Sequence, residues 1–200
     1  MLGIFLDTEA NGLNYRKHQL IELAFRIIDV ATGEEQARYE SVVFHTFDTW
    51  ALSDPLSLQV NGFTWDEISY GKQKETIAEE IISLFHHHNI QRGQAVFICQ
   101  NPSFDRAFFS QIIDPDLQEK LLWPYHWLDL ASMYWAKSLE KAKTQLIPMP
   151  WKTGLSKDTI AQIYKLPSEE KPHRAMNGVD HLVICYEAIV GFPLKRVNNY

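Results

Sequence analysis

Short apolar runs bounded by turn residues, and longer stretches with apolar side chains at every third or fourth position, divide the chain into strand and helix candidates. The run "LGIFLD", Leu2 to Asp7, ends on an acid, as suits a buried strand opening into a loop, here "TEANGLNYRKHQ". "IELAFRIID" alternates Ile21, Leu23, Phe25 and Ile27 with Glu22, Ala24 and Arg26, and "YESVVFH" follows "VATGEEQAR" with its Gly33 turn signal. The first three strands are therefore predicted to form an antiparallel meander.

From Asp54 the texture changes. "SDPLSLQVNGFTWDEI" predicts a short helix and an Asn61-Gly62 turn, and "KETIAEEIISLFHHH" places Ile77, Ile81, Ile82 and Phe85 at helical spacing. "QAVFICQ" is a further buried strand, "SFDRAFFSQII" a helix, "HWLDLA" a fifth strand, and "SMYWAKSLEKA", "SKDTIAQIYK" and the stretch "HRAMNGVDHLVICYEAIVG" are the closing helices. Lys141 to Gly154, with Pro148 and Pro150, is the most loop-like segment. A meander followed by alternating helix and strand predicts an α/β fold with a mixed five-stranded sheet flanked by helices.

Composition narrows this picture. The 200 residues fit one domain, 1–200, by the rule of roughly 100 to 200 residues per domain, and 46% hydrophobic residues supply a core without staples. Cys99 and Cys185 lie inside apolar runs, as small core residues do, rather than in a zinc or disulfide pattern. No run approaches the ~18 apolar residues of a membrane span, and "MLGIFLD" has no basic head, so a cytoplasmic protein without a membrane partner is expected. A net charge of −6 argues against bulk adhesion to polyanions, so such a partner must be gripped locally.

The candidate chemistry begins with Asp7 and Glu9, two residues apart, which share a face of an extended chain and repel unless a cation lies between them. Asp105, early in the helix after "AVFIC", is placed where strand ends bring distant acids together. Hard oxygen ligands of this kind suit magnesium or manganese. His173 heads the last helix, where an imidazole can serve as general base, and metal with base describes phosphodiester hydrolysis.

With these residues in place, the chain resembles the DEDDh family of 3′-to-5′ exonucleases in the DnaQ-like proofreading superfamily, whose fold is ribonuclease H-like, nearly from end to end. "FLDTEANGL" resembles the first motif, "CQNPSFDRAFF" the second, "HRAM" the third, and "LQVNGFT" the turn beside the bound 3′ nucleotide. The resemblance implies Asp7, Glu9 and Asp105 as metal ligands and His173 as base, with Thr8, Asn61, Gly62 and Asn101 as substrate-binding positions. It further implies two divalent cations, Mg²⁺ or Mn²⁺, and a hydrolase acting on single-stranded DNA or RNA 3′ ends that releases nucleoside 5′-monophosphates. Homodimers and association with a polymerase are further arrangements it brings; Val190 to Tyr200 offers no dedicated docking tail, so a free-standing enzyme is expected.

The pattern breaks at one place. The family's fourth ligand is an Asp five residues after the His, and here that position is Gly178. Asp180 is the nearest acid, but two extra helical residues turn a side chain by about 200°. Apolar Met176, Val179, Leu182, Val183 and Tyr186 favour the ungapped register, whereas "NG" as a loop that delays the helix would bring Asp180 into the first turn as a displaced ligand. The alternative function is thus an exonuclease-fold nucleic-acid-binding protein weakened by loss of that carboxylate.

Other conspicuous residues have plainer readings. His86, His87 and His88 close an amphipathic helix and diverge around it. Trp123, Trp127 and Trp135 suit the interior better than a base-stacking platform, and Asp129 suits a helix N-cap. Arg16, Lys17, Lys152, Lys157 and Arg174 are candidates for phosphate contact, with solvated surface as the default.

Overall fold

The computed structural model describes residues 1–195. Five strands, β1 (Leu2–Ala10), β2 (Leu20–Asp29), β3 (Glu35–Val42), β4 (Ala95–Cys99) and β5 (Trp127–Asp129), form one sheet in the order β3-β2-β1-β4-β5. The meander β1-β2-β3 is antiparallel and β4 and β5 are parallel to β1, so the sheet is mixed as predicted. Between β3 and β4 run the short α1 (Phe47–Trp50), α2 (Pro55–Asn61) and α3 (Trp65–Ser69) and the long α4 (Lys74–His87). Then come α5 (Pro102–Phe109), α6 (Pro115–Lys120), α7 (Leu130–Ala142), α8 (Pro150–Thr153), α9 (Lys157–Tyr164) and α10 (Ala175–Ile189).

Strand alternation sorts the core into two layers. Ile4, Leu6, Phe25 and Phe97 pack under α4 and α5, while Phe5, Ala24, Ile28 and Ile98 pack under α7, α9 and α10. β2 is consequently buried on both faces; Glu22 and Ala24, expected on a polar face, lie under α10 instead. The sheet therefore has no solvated side at its centre.

Several boundaries differ from those predicted. β1 runs on through Thr8 and Glu9 to Ala10, so the second acid is a strand residue, not a loop residue. β3 starts four residues before Tyr39, and Lys141 to Gly154 contains the helical turn α8 that Pro150 opens. Trp123 and Trp127 join the aromatic core, but Trp135 sits partly exposed beside Trp151. His86 and His87 are exposed at the end of α4, and Asp129 caps α7 by accepting from the N–H groups of Ala131 and Ser132. Of the stretch read as lacking a docking tail, residues 196–200 lie outside the described residues.

α10 begins on Arg174, whose side chain makes no cap; it donates to Glu67 and lies over the ring of Phe63. The cap comes from another strand, where the buried Glu22 carboxylate accepts the Ala175 N–H at 2.7 Å. One orphan donor of the helix is thereby satisfied, and the entry of α10 is fixed against β2. Glu22→Ala is expected to cost about 1–2 kcal/mol and Glu22→Gln, which keeps an acceptor, distinctly less, as read from urea denaturation midpoints.

Candidate active site

β4 pairs with β1 only as far as Phe5 opposite Ile98, whereas β1 continues to Ala10. Beyond Phe5 one edge of β1 is free, and α5 enters there. Asp7 and Glu9 project to the α10 face by strand alternation, and a register shift after Glu9 ends the regular ladder at the site. Thr8, on the opposite face, donates its hydroxyl to Asp105 at 2.9 Å, tying the first turn of α5 to the strand. Asn101, in left-handed conformation at φ 58°, lets α5 turn back this sharply after β4, and its N–H is held by Asp129.

Asp7 and Glu9 thus share one face of β1, and Asp105 is held through Thr8 near enough for the charge on Asp7 to bear on it. Burial pushes Asp7 upward, partly offset by Lys157, and it pushes Asp105 well up with help from the charge on Asp7. Burial with the neighbouring charges of Asp7 and Glu22 lifts Glu9 to about 8. Desolvated carboxylates in mutual repulsion are what a hard divalent cation relieves, so Asp7, Glu9 and Asp105 fit such an ion by donor type and by charge; among the described residues the ligand atoms already drawn within 4.8 Å of one another are those of Asp158, Glu169 and His181.

At the fourth position the structure has the ungapped register at Gly178 and not Asp180 as a displaced ligand. α10 is helical from Ala175, so "NG" does not delay it, and Gly178 stands in the ungapped register facing Asp7. Asp180 is instead half exposed and paired with Arg26 at 2.8 Å, turned away by the two-residue advance along the helix. Asp180 is therefore a surface ion-pair partner and not a displaced ligand. Gly178 permits a close approach of helix and strand, because a Cβ there would lie 2.1 Å from Asp7 Oδ2 and 3.1 Å from Lys157 Nζ.

Lys157 was expected at the surface and is largely buried. Its ammonium donates to Asp7 Oδ1 at 3.1 Å and to the Gly178 carbonyl at 3.2 Å, and lies 3.3 Å from Glu169 Oε2. Glu169, which the sequence reading did not single out, is buried and also meets His173 Nδ1 at 2.9 Å and His181 Nδ1 at 3.3 Å. Its burial favours protonation, but bonds from His181 and His173 and the charge of Lys157 hold it down at about 2. No local pattern marks Glu169 within "PSEEKPH"; its one sequence signal is an acid four residues before the candidate base.

The remaining substrate-binding candidates divide. Asn61 and Thr8 line a cleft of about 330 Å³ with Glu9, Leu13, Leu56 and Phe104, and the Asn61 amide spans Ala10 and Phe63. Gly62 supplies the left-handed end of α2 and a close approach to Pro172, while Val60 accepts the His173 N–H, so this turn positions the histidine. Asn101 is exposed, with its carbonyl oxygen taken by Ser103, and acts on the backbone of α5 instead of lining the cleft. Of the basic candidates, Arg16, Lys17 and Lys152 are exposed, whereas Arg174 is committed to Glu67.

No protein-family model matches the chain, and no curated protein does. Solved structures do. Escherichia coli exonuclease I in complex with a dT13 oligonucleotide matches with TM-score 0.71 and 15% identity over 94% of this chain and 41% of its own. Exonuclease I from Methylocaldum szegediense matches at 0.73 and 14% over 94% and 40%, and cell-death related nuclease 4 (CRN-4) at 0.72 and 12% over 94% and 63%. The chain spans about two fifths of the exonuclease I chains, and at these identities the likeness is one of fold, the ribonuclease H-like arrangement of sheet and helices described above.

Two outcomes follow from this geometry. Gly178→Ala is expected to force the Asp7 carboxylate off its place, lowering stability by about 1–3 kcal/mol and weakening Mn²⁺ binding, as calorimetry on the folded variant would read. His181 faces an acceptor at each ring nitrogen, Glu169 at Nδ1 and the Pro167 carbonyl at 3.1 Å from Nε2, so it must donate twice and is an imidazolium. Burial opposes that charge, and the neighbouring Cys185 and Glu169 overcome it, raising the group to about 9. A raised imidazolium stabilises fully below the ordinary value near 6.5 and ceases to as pH rises through about 9. The urea midpoint of wild type is therefore expected to fall between about pH 7 and 9.5, and that of His181→Gln to fall only up to about pH 8, where Glu9 ionises, and to stay flat above it.

Proposed function

We propose that the chain is a metal-dependent 3′-to-5′ exonuclease of the DEDDh type, acting on single-stranded nucleic-acid ends and releasing nucleoside 5′-monophosphates. The observation that carries the reading is the set of desolvated carboxylates at the end of β1, Asp7 and Glu9 with Asp105 near Asp7, and a histidine whose charge acts on Asp7 and whose Nδ1 is held by buried Glu169. With Nδ1–H donated to that carboxylate, the lone pair of His173 resides on Nε2, the state a general base requires.

Asp7, Glu9 and Asp105 would hold a divalent cation, Mg²⁺ or Mn²⁺, which when bound supplies stabilisation of phosphate charge and acidifies water. His173 takes the proton of the attacking water at Nε2, and Glu169 keeps the ring oriented and offsets the charge it gains. The cleft beside Glu9 suits a terminal nucleotide: Leu13, Leu56, Val60 and Phe104 offer apolar surface to any base, as a sequence-tolerant nuclease needs. Fold neighbours that are nucleases, one of them holding dT13, support the same reading.

A second reading, a strand-binding protein that has lost cleavage, is favoured by the grip of Lys157 on Asp7 and the absence of a side chain at Gly178. Turnover separates the two. With Mg²⁺ or Mn²⁺, 5′-labelled single strands are expected to shorten stepwise from the 3′ end, and His173→Ala to lower kcat by about 10²–10⁴. Strands that bind yet stay intact under both ions would sink the enzyme reading, and matched DNA and RNA oligonucleotides decide the sugar.

A further inference from the structure

The ammonium of Lys157 is enclosed by Asp7 Oδ1 at 3.1 Å, the Gly178 carbonyl at 3.2 Å and Glu169 Oε2 at 3.3 Å. An ammonium has three hydrogens, and three oxygens from β1, α10 and the loop between α9 and α10 stand around it. The side chain is only 12% exposed, and with this triad satisfied no donor remains for a phosphate. Its position works against local preference, since Lys157 is the first residue of α9 and a cation is disfavoured at a helix N-terminus. The oxygens it meets therefore account for its placement.

We propose that Lys157 is a built-in cation filling the place of a second divalent ion, so that this centre takes one divalent cation, on Asp7, Glu9 and Asp105, and not two. The proposal rests on the site reading above and deepens it. Gly178 belongs to the same device: it removes a carboxylate, leaves its carbonyl to accept from Lys157, and clears the space in which Asp7 reaches that ammonium. Two buried carboxylates and a carbonyl around one fixed charge need no second metal for compensation. Lys157 is thus a positioning residue for Asp7 and, through Glu169, for His173.

Mn²⁺ alone, titrated into the full chain without nucleic acid and followed by calorimetry and by electron paramagnetic resonance, tests this directly. Wild type is expected to bind one Mn²⁺ per chain up to millimolar concentration, and none or two would overturn the proposal. Lys157→Ala opens the oxygen cage and is expected to raise the stoichiometry to two; a folded Lys157→Ala that still binds one would equally overturn it. The wild-type measurement stands even if that variant fails to fold. One Mn²⁺ bound by a chain that cleaves nothing would sink the exonuclease reading alone, and two bound by a chain that cleaves would sink this inference alone.

Discussion

Like charges withdrawn from water must be compensated where they lie, and the end of β1 is organised around that demand. Asp7, Glu9, Glu22, Asp105 and Glu169 converge where sheet, α5 and α10 meet, and burial alone would drive each toward its neutral form. Each is answered differently. Thr8 donates to Asp105, the Ala175 N–H to Glu22, Lys157 to Asp7, and Lys157 with two histidines to Glu169. Among the described residues Glu9 meets no such fixed donor, and it is lifted to about 8, so an external cation would relieve it.

The same contacts set the architecture. α10 is capped by a carboxylate from β2, pinned at its fourth residue by the close approach of Gly178 to Asp7, and clamped through His181 to the loop that carries Glu169. That loop also carries His173, whose backbone is tied to Val60 beside the Asn61-Gly62 turn. Apolar packing of α10 on Phe5, Ala24 and Ile28 supplies the bulk of its attachment, and the polar contacts fix its position along the strand.

Much of this was legible in the sequence. Alternation and helical spacing gave the strand order of the meander and the main helices because those patterns are local. Asp7, Glu9, Asp105 and His173 were singled out because strand ends and helix starts concentrate chemistry at fixed offsets. What stayed hidden is long-range. Glu22 reads as a polar-face residue until α10 covers it, Lys157 as a solvated helix start until Asp7, 150 positions away, meets it, and Glu169 as one acid among several. Asp180 erred the other way: proximity in sequence suggested a ligand, while the helical twist gave it to Arg26 on β2.

The departure at Gly178 then takes on a different meaning. Read alone, it is a lost ligand costing about 1 kcal/mol of helix propensity and weakening the site. Beside Lys157 it is one half of a paired arrangement. A carboxylate at 178 would begin with a Cβ 2.1 Å from Asp7 Oδ2, so it is incompatible with the helix where it now packs. A glycine without Lys157 would leave Asp7 with no counter-ion and Glu169 with only its histidines, a cost of several kcal/mol. Each residue answers the charge and space that the other leaves, so the absent carboxylate and the buried ammonium are a single solution to the charge at the end of β1.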